Sequence, residues 1–168
     1  METIVSGIII VAIILLVVLS VAFYMMNTQA TLSESSRVMQ DRMTDRARTA
    51  LTVVSTATNS SGDYVQIILQ NVGMTKQTNF KNWDVILQYT DGKGAQQIHW
   101  YAYSTQWTEQ IYQSISPAQL EVIEPGILNP GEYLVIQVNA VPPVGLGTTN
   151  LGVVTTPNGT VVQSMFSH

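Results

Sequence analysis

Side chains that could support catalysis or metal binding are few in this sequence, and they are widely separated. Of the two histidines, His99 falls in a segment of alternating polar and apolar residues, and His168 ends the chain. A histidine in such a segment is typical of a half-exposed sheet residue rather than a ligand. Asp91 and Glu124 lack the loop spacing of a calcium site. The sequence therefore predicts no enzyme activity, no cofactor and no metal site.

Motifs for nucleotide binding, hydrolysis or thiol chemistry are also missing. The glycines of Gly145-Leu146-Gly147 lie between prolines and no helical pattern follows them, so they do not predict a phosphate-binding turn. The chain has no cysteine, which excludes disulfides, iron–sulfur clusters and thiolate zinc sites. A net charge of -4 argues against binding to nucleic acid, which requires a basic surface.

Two positions are candidates for N-glycosylation. Asn59 begins the sequon Asn-Ser-Ser, and Asn158 begins the sequon Asn-Gly-Thr. Both lie in segments rich in turn-forming residues, where an acceptor asparagine is accessible. Their positions favour an exterior location for this part of the chain.

Aromatic residues are concentrated in the middle of the chain and allow two interpretations. They could form a contact or carbohydrate-binding platform, or they could fill a sheet core and its rim, which is the commoner use. The residues are Phe80, Trp83, Tyr89, Trp100, Tyr101, Tyr103, Trp107 and Tyr112.

The elements that position these residues begin with a long apolar segment. Ile4–Met26 contains no charged residue, and as a helix it would extend roughly 34 Å, enough to cross the hydrocarbon core of a membrane. It has no polar face, which indicates a helix buried on all sides. Three interpretations remain: a signal peptide, a single-pass anchor, or a helix that begins in the membrane and ends within a polymer of identical helices.

Charge placement favours proteolytic processing. No basic residue precedes the apolar segment, whereas four arginines follow it: Arg37, Arg42, Arg46 and Arg48. The positive-inside rule would then place the following domain in the cytoplasm, in conflict with its extracellular character. Removal of a basic leader immediately before Met1 resolves the conflict, and we expect such processing.

The helical pattern continues beyond the apolar segment with a different periodicity. From Asn27 onwards one apolar stripe alternates with charged faces, and no proline or glycine interrupts it before Gly62. We therefore expect one N-terminal helix over 1–57, apolar over 4–26 and amphipathic over 27–57.

From 63 to 168 the periodicity changes to that of β-strands. Turn residues separate about seven short alternating segments, which predicts an antiparallel, immunoglobulin-like sandwich or barrel. The expected fold class is thus α+β, a long helix followed by an outer β-domain at 63–168. The six clearest segments are 64–71, 83–90, 97–104, 132–140, 151–156 and 159–166.

Taken together, the chain resembles the type IV pilin superfamily, and in particular the archaellins that form archaeal flagella. The resemblance rests on the helix at 1–57 and on three stretches, "IILQNVGMTKQTNFKNWDV", "LNPGEYLVIQV" and "TPNGTVV". Bacterial-type pilins usually carry glutamate at the fifth mature position, where this chain has Val5, so the archaellin form of the resemblance is favoured.

The resemblance implies a structural subunit of an extracellular filament used in motility. It implies a homopolymer, membrane insertion before assembly, and three protein partners: a prepilin-type peptidase, an assembly ATPase and a platform protein. Small residues on the helix would allow close approach of sister helices. The residues expected in the helical core of the polymer are Ile4, Gly7, Ile8, Val11, Ala12, Leu15, Val18, Leu19 and Ala22.

Three alternatives stay open at the level of sequence. They are an adhesive pilus subunit of the same superfamily, a minor archaellum accessory protein that grips the cell-surface layer or the stator, and a single-pass, membrane-anchored surface β-domain.

Overall fold

A computed structural model describes the backbone of residues 2–168 and the side chains from residue 7 onwards. Met1, before which processing is expected, and the side chain of Ile4 lie outside the described part. The chain divides into two compact units, residues 1–43 and 44–168.

The N-terminal element is a single helix, α1 (Glu2–Arg48), of 47 residues. At 1.5 Å per residue it is about 70 Å long. The helix ends at Arg48, so the prediction that it continues to residue 57 was wrong. The stretch from Leu51 to Thr58 is rich in threonine and valine, which favour extended backbone, and it pairs with the next strand.

Nine strands and one short 3-10 helix (Phe80–Asn82) follow α1. The strands form two antiparallel sheets, a five-stranded sheet of order β1-β2-β7-β5-β6 and a four-stranded sheet of order β4-β3-β8-β9. The α+β prediction is confirmed, and the β part is a sandwich. The strands are β1 (Leu51–Thr58), β2 (Tyr64–Asn71), β3 (Asp84–Thr90), β4 (Gln96–Tyr101), β5 (Trp107–Ile115), β6 (Ala118–Leu120), β7 (Tyr133–Asn139), β8 (Thr149–Thr155) and β9 (Val161–Ser167).

Six of these strands match the alternating segments of the sequence to within three residues at each end. The strands β1, β5 and β6 were not predicted. β1 was assigned to the helix, and the polar run after Trp107 hides the alternation of β5, in which only Trp107 and Ile111 are fully buried.

The core lies between the two sheets and is built from alternate residues of their strands. Leu87 of β3 and Ile67 of β2 face each other across the interface and are almost fully buried. Gly152 lets the sheets approach closely, because a Cβ atom there would lie 3.1 Å from Cδ1 of Ile67. Along one side, the hydroxyls of Thr56 in β1 and Ser164 in β9 are 2.6 Å apart, which joins the edges of the two sheets.

The aromatic cluster divides between the two predicted uses. Trp83, Tyr89, Tyr101 and Trp107 are buried and belong to the core. Trp100 points outwards from β4 and is 57% exposed. Most of the cluster is therefore structural, and Trp100 is the exception that a surface role must explain.

Candidate functional site

The apolar part of α1 is exposed around its whole circumference in the single chain. From Ile8 to Met26 its large side chains keep between 50% (Val21) and 76% (Tyr24) of their surface accessible. The helix is long and apolar enough to cross a membrane. Such a surface is not stable in water and needs an apolar partner on every side.

The hydroxyl groups of Ser20 and Thr28 on this helix are satisfied within the helix itself. Ser20 donates its hydroxyl hydrogen to the carbonyl oxygen of Leu16 at 2.6 Å, and Thr28 donates to that of Tyr24 at 2.8 Å. Neither group therefore requires water, which an apolar environment could not supply. The segment is chemically suited to lipid and to a bundle of helices alike.

The nine residues expected in the polymer core share one face of α1. At 100° per residue they occupy an arc of about 140°. Gly7 lies on this arc, and apart from the helix's own backbone no atom of the described residues lies within 4 Å of the position that a Cβ would take there. Ser20 lies on the opposite side. The single chain places no partner against this face among its described residues, so its role stays a prediction.

Within the second unit, the transition from helix to strand is fixed by Thr49. This residue is 93% buried, since only 7% of its surface is accessible. Its hydroxyl oxygen lies 2.8 Å from the carbonyl of Asp45 and 2.8 Å from the hydroxyl of Thr75. It also accepts hydrogen bonds from the side-chain amides of Asn158, at 2.7 Å, and Gln77, at 3.3 Å.

The backbone after β2 packs directly on the same transition. The amide of Met74 donates to the carbonyl of Arg48, and the amide of Val72 donates to that of Ala50, both at 2.9 Å. Gly73 lies between them, and a Cβ there would lie 2.5 Å from the backbone nitrogen of Ala50. Glycine is required at this position because the obstructing atoms are backbone. We name Thr49 and Gly73, with their partners, the helix–strand clamp.

Sequence reasoning did not identify the helix–strand clamp. Its members are common residues whose partners lie far away along the chain, as with Thr49 and Asn158. The one available signal was the run of β-branched residues after Thr49, which argues against continuing the helix.

A polar cleft of about 390 Å³ lies beside Thr49. Apart from Asp45 and Lys76, its lining is made of uncharged groups. Among the side chains that the structure describes, no group of three or more histidines or carboxylates comes together to hold a metal ion.

The two glycosylation candidates differ in accessibility. Asn59 is exposed in the β1–β2 turn, where its amide donates to Ser61 and Asp63. Asn158 is half-buried in the β8–β9 turn, and its amide nitrogen is the donor to Thr49. A glycan would replace one hydrogen of that amide and disturb the helix–strand clamp, whereas at Asn59 it would disturb only a surface turn.

The histidines have structural surroundings. His99 lies between the rings of Tyr89 and Tyr101 at centroid distances of 6.3 and 6.2 Å, and its Nε2 is 3.1 Å from Oε1 of Gln97. Nδ1 of His168 lies 2.9 Å from the carbonyl oxygen of Val144. Both contacts are consistent with packing and chain-end anchoring.

Comparison with known proteins gives a family. A family model described as archaeal-type flagellin matches residues 3–165. No curated protein matches the chain.

Solved structures of two kinds of archaellum protein, a flagellum and stator proteins, resemble the chain. The archaeal flagellum of Methanospirillum hungatei strain JF1 has 14% identity and a TM-score of 0.61, and the match covers 94% of this chain and 89% of that one. The archaellum periplasmic stator protein FlaG from Sulfolobus acidocaldarius has 25% identity and a TM-score of 0.51, covering 70% of this chain and 99% of that one. The FlaF and FlaG stator complex of the same organism gives 24% identity, a TM-score of 0.51, and coverage of 69% and 87%.

Proposed function

The chain belongs to the archaeal-type flagellin family, and we propose that, as a structural subunit of the extracellular archaellum filament, it polymerises through α1. The observation that carries this proposal is the segment from Ile8 to Met26, which is apolar and exposed on every side of the helix. Membership of the family accounts for a filament, and this surface accounts for how the subunits hold together.

The physical mechanism is an exchange between two apolar surroundings. Before assembly the helix lies in lipid, and after assembly it lies among sister helices. The hydrophobic effect does not distinguish these two states, because lipid tails are as apolar as leucine. The packing of side chains between helices therefore decides whether the helix stays in lipid or joins the filament. Gly7, Ala12 and Ala22 allow the helix axes to approach, and the stiff β-branched side chains lose little freedom on packing.

Self-assembly of this kind must not close into a ring. A filament grows when one surface of a subunit binds a different surface of the next, with a rotation that does not close. An apolar helix without a polar face can meet several neighbours at once, which suits the centre of a helical polymer. The β-domain then lies outside and contributes lateral contacts.

The assembly machinery is part of the proposal. A prepilin-type peptidase would cleave a basic leader immediately before Met1, and an assembly ATPase with a platform protein would move the helix from membrane to filament. Intact-mass measurement of the purified protein, set beside the reading frame of its gene, tests the cleavage position. A reading frame that starts at Met1 would contradict it.

A second candidate function is a stator-like accessory role. The support is the stator protein FlaG, which is more similar in sequence, at 25% identity, than the flagellum subunit, at 14%. The Methanospirillum flagellum match, however, covers 94% of this chain. An accessory protein would be present at a few copies per cell, and a filament subunit at thousands.

Filaments sheared from cells and analysed by quantitative mass spectrometry separate these functions. We expect the chain to account for most of the filament mass, and deletion of its gene to abolish both filaments and swimming. Surface attachment lost with swimming intact would identify an adhesive pilus. Recovery of the chain only from the envelope fraction would support the stator-like role or a membrane-anchored surface domain.

A further inference from the structure

The outer face of the four-stranded sheet is unusually apolar for a surface. Ile98 is 67% exposed, Trp100 57% and Met165 72%. Ile98 and Trp100 lie on β4, and Met165 lies on β9. On the two strands between them the same face continues with half-buried apolar residues, since Ile86 of β3 pairs with Trp100 and Leu151 of β8 pairs with Met165. We call the three exposed residues the sheet patch.

The sheet patch lies in a region with few charges. The strands β4, β8 and β9 contain no charged residue. Asp84 of β3 accepts the indole hydrogen of Trp100 at 2.8 Å. Lys81, just before β3, is exposed, and no carboxylate oxygen of the described side chains lies within 4.0 Å of its amine.

The edge of this sheet is also open. β4 pairs only with β3, and it carries neither lysine nor proline, the residues that natural proteins use to block pairing at exposed edges. A charge-poor, apolar face with an unprotected edge is a recognition surface or an aggregation hazard.

A second apolar patch lies at the end of β6 in the other sheet and in the loop that follows it. Leu120 is 51% exposed, Val122 76% and Ile123 77%. We call these three residues the loop patch.

The rim of the loop patch is acidic and incompletely neutralised. Lys76 forms an ion pair with Glu124 at 2.6 Å, the only ion pair among the described side chains. Desolvation, followed by the negative charges of Glu132 and Glu124, raises the pKa of Glu121. Among the described side chains, no cationic nitrogen lies within 4.0 Å of the Glu121 carboxylate, and no carboxylate lies within 4.0 Å of the amine of Lys81, which precedes Asp84 by three residues.

We propose that the sheet patch of one subunit binds the loop patch of a neighbouring copy, with Lys81 opposite Glu121. The proposal rests on the filament function. Two different apolar patches, one with the lysine Lys81 near its rim and the other with the acid Glu121, are the two halves of a head-to-tail contact, which extends without closing. Every copy carries both halves, so a second copy of this chain is the occupant.

Cross-linking in the assembled filament tests the contact, and the absence of native cysteine makes the test clean. The double variant Ile98→Cys with Ile123→Cys is expressed in the native host as the full chain. Sheared filaments are treated with copper phenanthroline and run under non-reducing conditions. We expect a ladder of dimers, trimers and longer chains, and only monomer from each single variant.

The control combines Ile98→Cys with Leu146→Cys, whose side chain is 82% exposed and lies in neither patch. A ladder from this control, a dimer from a single variant, or a cross-link to a different protein would each overturn the proposed contact. Filaments that contain the chain but give no ladder would overturn the contact and leave the filament function standing. Absence of the chain from all filaments would overturn both.

Charge reversal gives an independent readout. Lys81→Glu and Glu121→Lys should each abolish the ladder in the double-cysteine background, and their combination should restore it. A ladder that survives either single reversal would contradict the pairing of Lys81 with Glu121.

Discussion

The side-chain amide of Asn158 donates a 2.7 Å hydrogen bond to the hydroxyl oxygen of Thr49, and so ties the β8–β9 turn to the first residue after α1. The two residues are distant in sequence, and the structural role of each depends on its contact with the other. Thr49 ends the helix because its hydroxyl is held by the β-domain, and Asn158 is a structural residue as well as a sequon asparagine.

Removing this hydroxyl should destabilise the β-domain. Thr49→Val keeps the side-chain shape but leaves the amides of Asn158 and Gln77 without that acceptor, which should lower the free energy of unfolding by about 1–3 kcal/mol. Urea unfolding of the full chain in detergent micelles, followed by the fluorescence of the buried Trp83 and Trp107, measures the loss. Thr52→Val, at an exposed position of β1, is the matched control and should change little.

Close backbone approach at Gly73 should make even alanine unfavourable. In Gly73→Ala the new Cβ would lie 2.5 Å from the backbone nitrogen of Ala50, so the segment must move and strain its hydrogen bonds to Arg48 and Ala50. We expect a loss of about 1–3 kcal/mol, as for other overpacked sites. Gly92→Ala is the control, because nothing lies within 4 Å of its Cβ position. Equal stability of the two variants would contradict the account.

Glycan occupancy should differ between the two sequons. We expect Asn59 to carry glycan and Asn158 to be unmodified, because the amide of Asn158 is already the donor to Thr49. Protein purified from the native host should lose the mass of one glycan in Asn59→Gln, in addition to the mass change of the substitution itself. In Asn158→Gln the mass should change only by the substitution, while stability falls. Glycan at Asn158 would show that the bond to Thr49 is dispensable.

Close helix approach should be sensitive to side-chain size at Gly7. At Gly7 no atom of the described residues, outside the helix's own backbone, lies within 4 Å of the Cβ position, and leucine raises helix propensity, so we expect a defect in Gly7→Leu to come from contact with a neighbouring subunit. We expect normal membrane insertion and strongly reduced filament formation, scored by membrane fractionation and electron microscopy. Ser20→Leu introduces the same side chain on the opposite side of α1, and this variant should form more filaments than Gly7→Leu. Normal filaments from Gly7→Leu would remove Gly7 from the assembly face.

In the acidic loop after β6, the charges of Glu121 and Glu124 should have opposite effects on the thermal stability of the fold. Desolvation raises the folded-state pKa of Glu121, so ionisation destabilises the fold as pH rises through the unfolded pKa, and the loss is complete above the folded pKa. Glu121→Gln should therefore raise Tm at pH 7 and have little effect near pH 3.

Glu124 provides the control of opposite sign. Its hydrogen bond with Lys76 lowers its pKa, so its contribution to stability is present above the unfolded pKa and is lost as pH falls through the folded one. Glu124→Gln should lower Tm at pH 7. Thermal scans of both variants in detergent at the two pH values check the pair, and shifts of the same sign at pH 7 would contradict it.

The sequence by itself determined the features that depend on local pattern. An uncharged run from Ile4 to Met26 dictates a helix in an apolar setting, because backbone groups there have no water to bond. The alternation of Val65, Ile67 and Leu69 with the glutamines between and after them identified β2 over Tyr64–Asn71 to the residue, since one face of that strand is buried. The same pattern, with the turn residues, gave the sandwich and the resemblance to archaellins.

Tertiary structure alone decided the end of α1, the strands β1, β5 and β6, and the pairing of Thr49 with Asn158. Residues 49–57 continue a plausible helical pattern, and only the ladder with β2 makes the strand more stable. The exposure of Trp100 beside the buried Tyr101 depends equally on which side of β4 faces the opposite sheet. Contacts between residues far apart in sequence set these outcomes, and local propensities of a few tenths of a kcal/mol per residue cannot anticipate them.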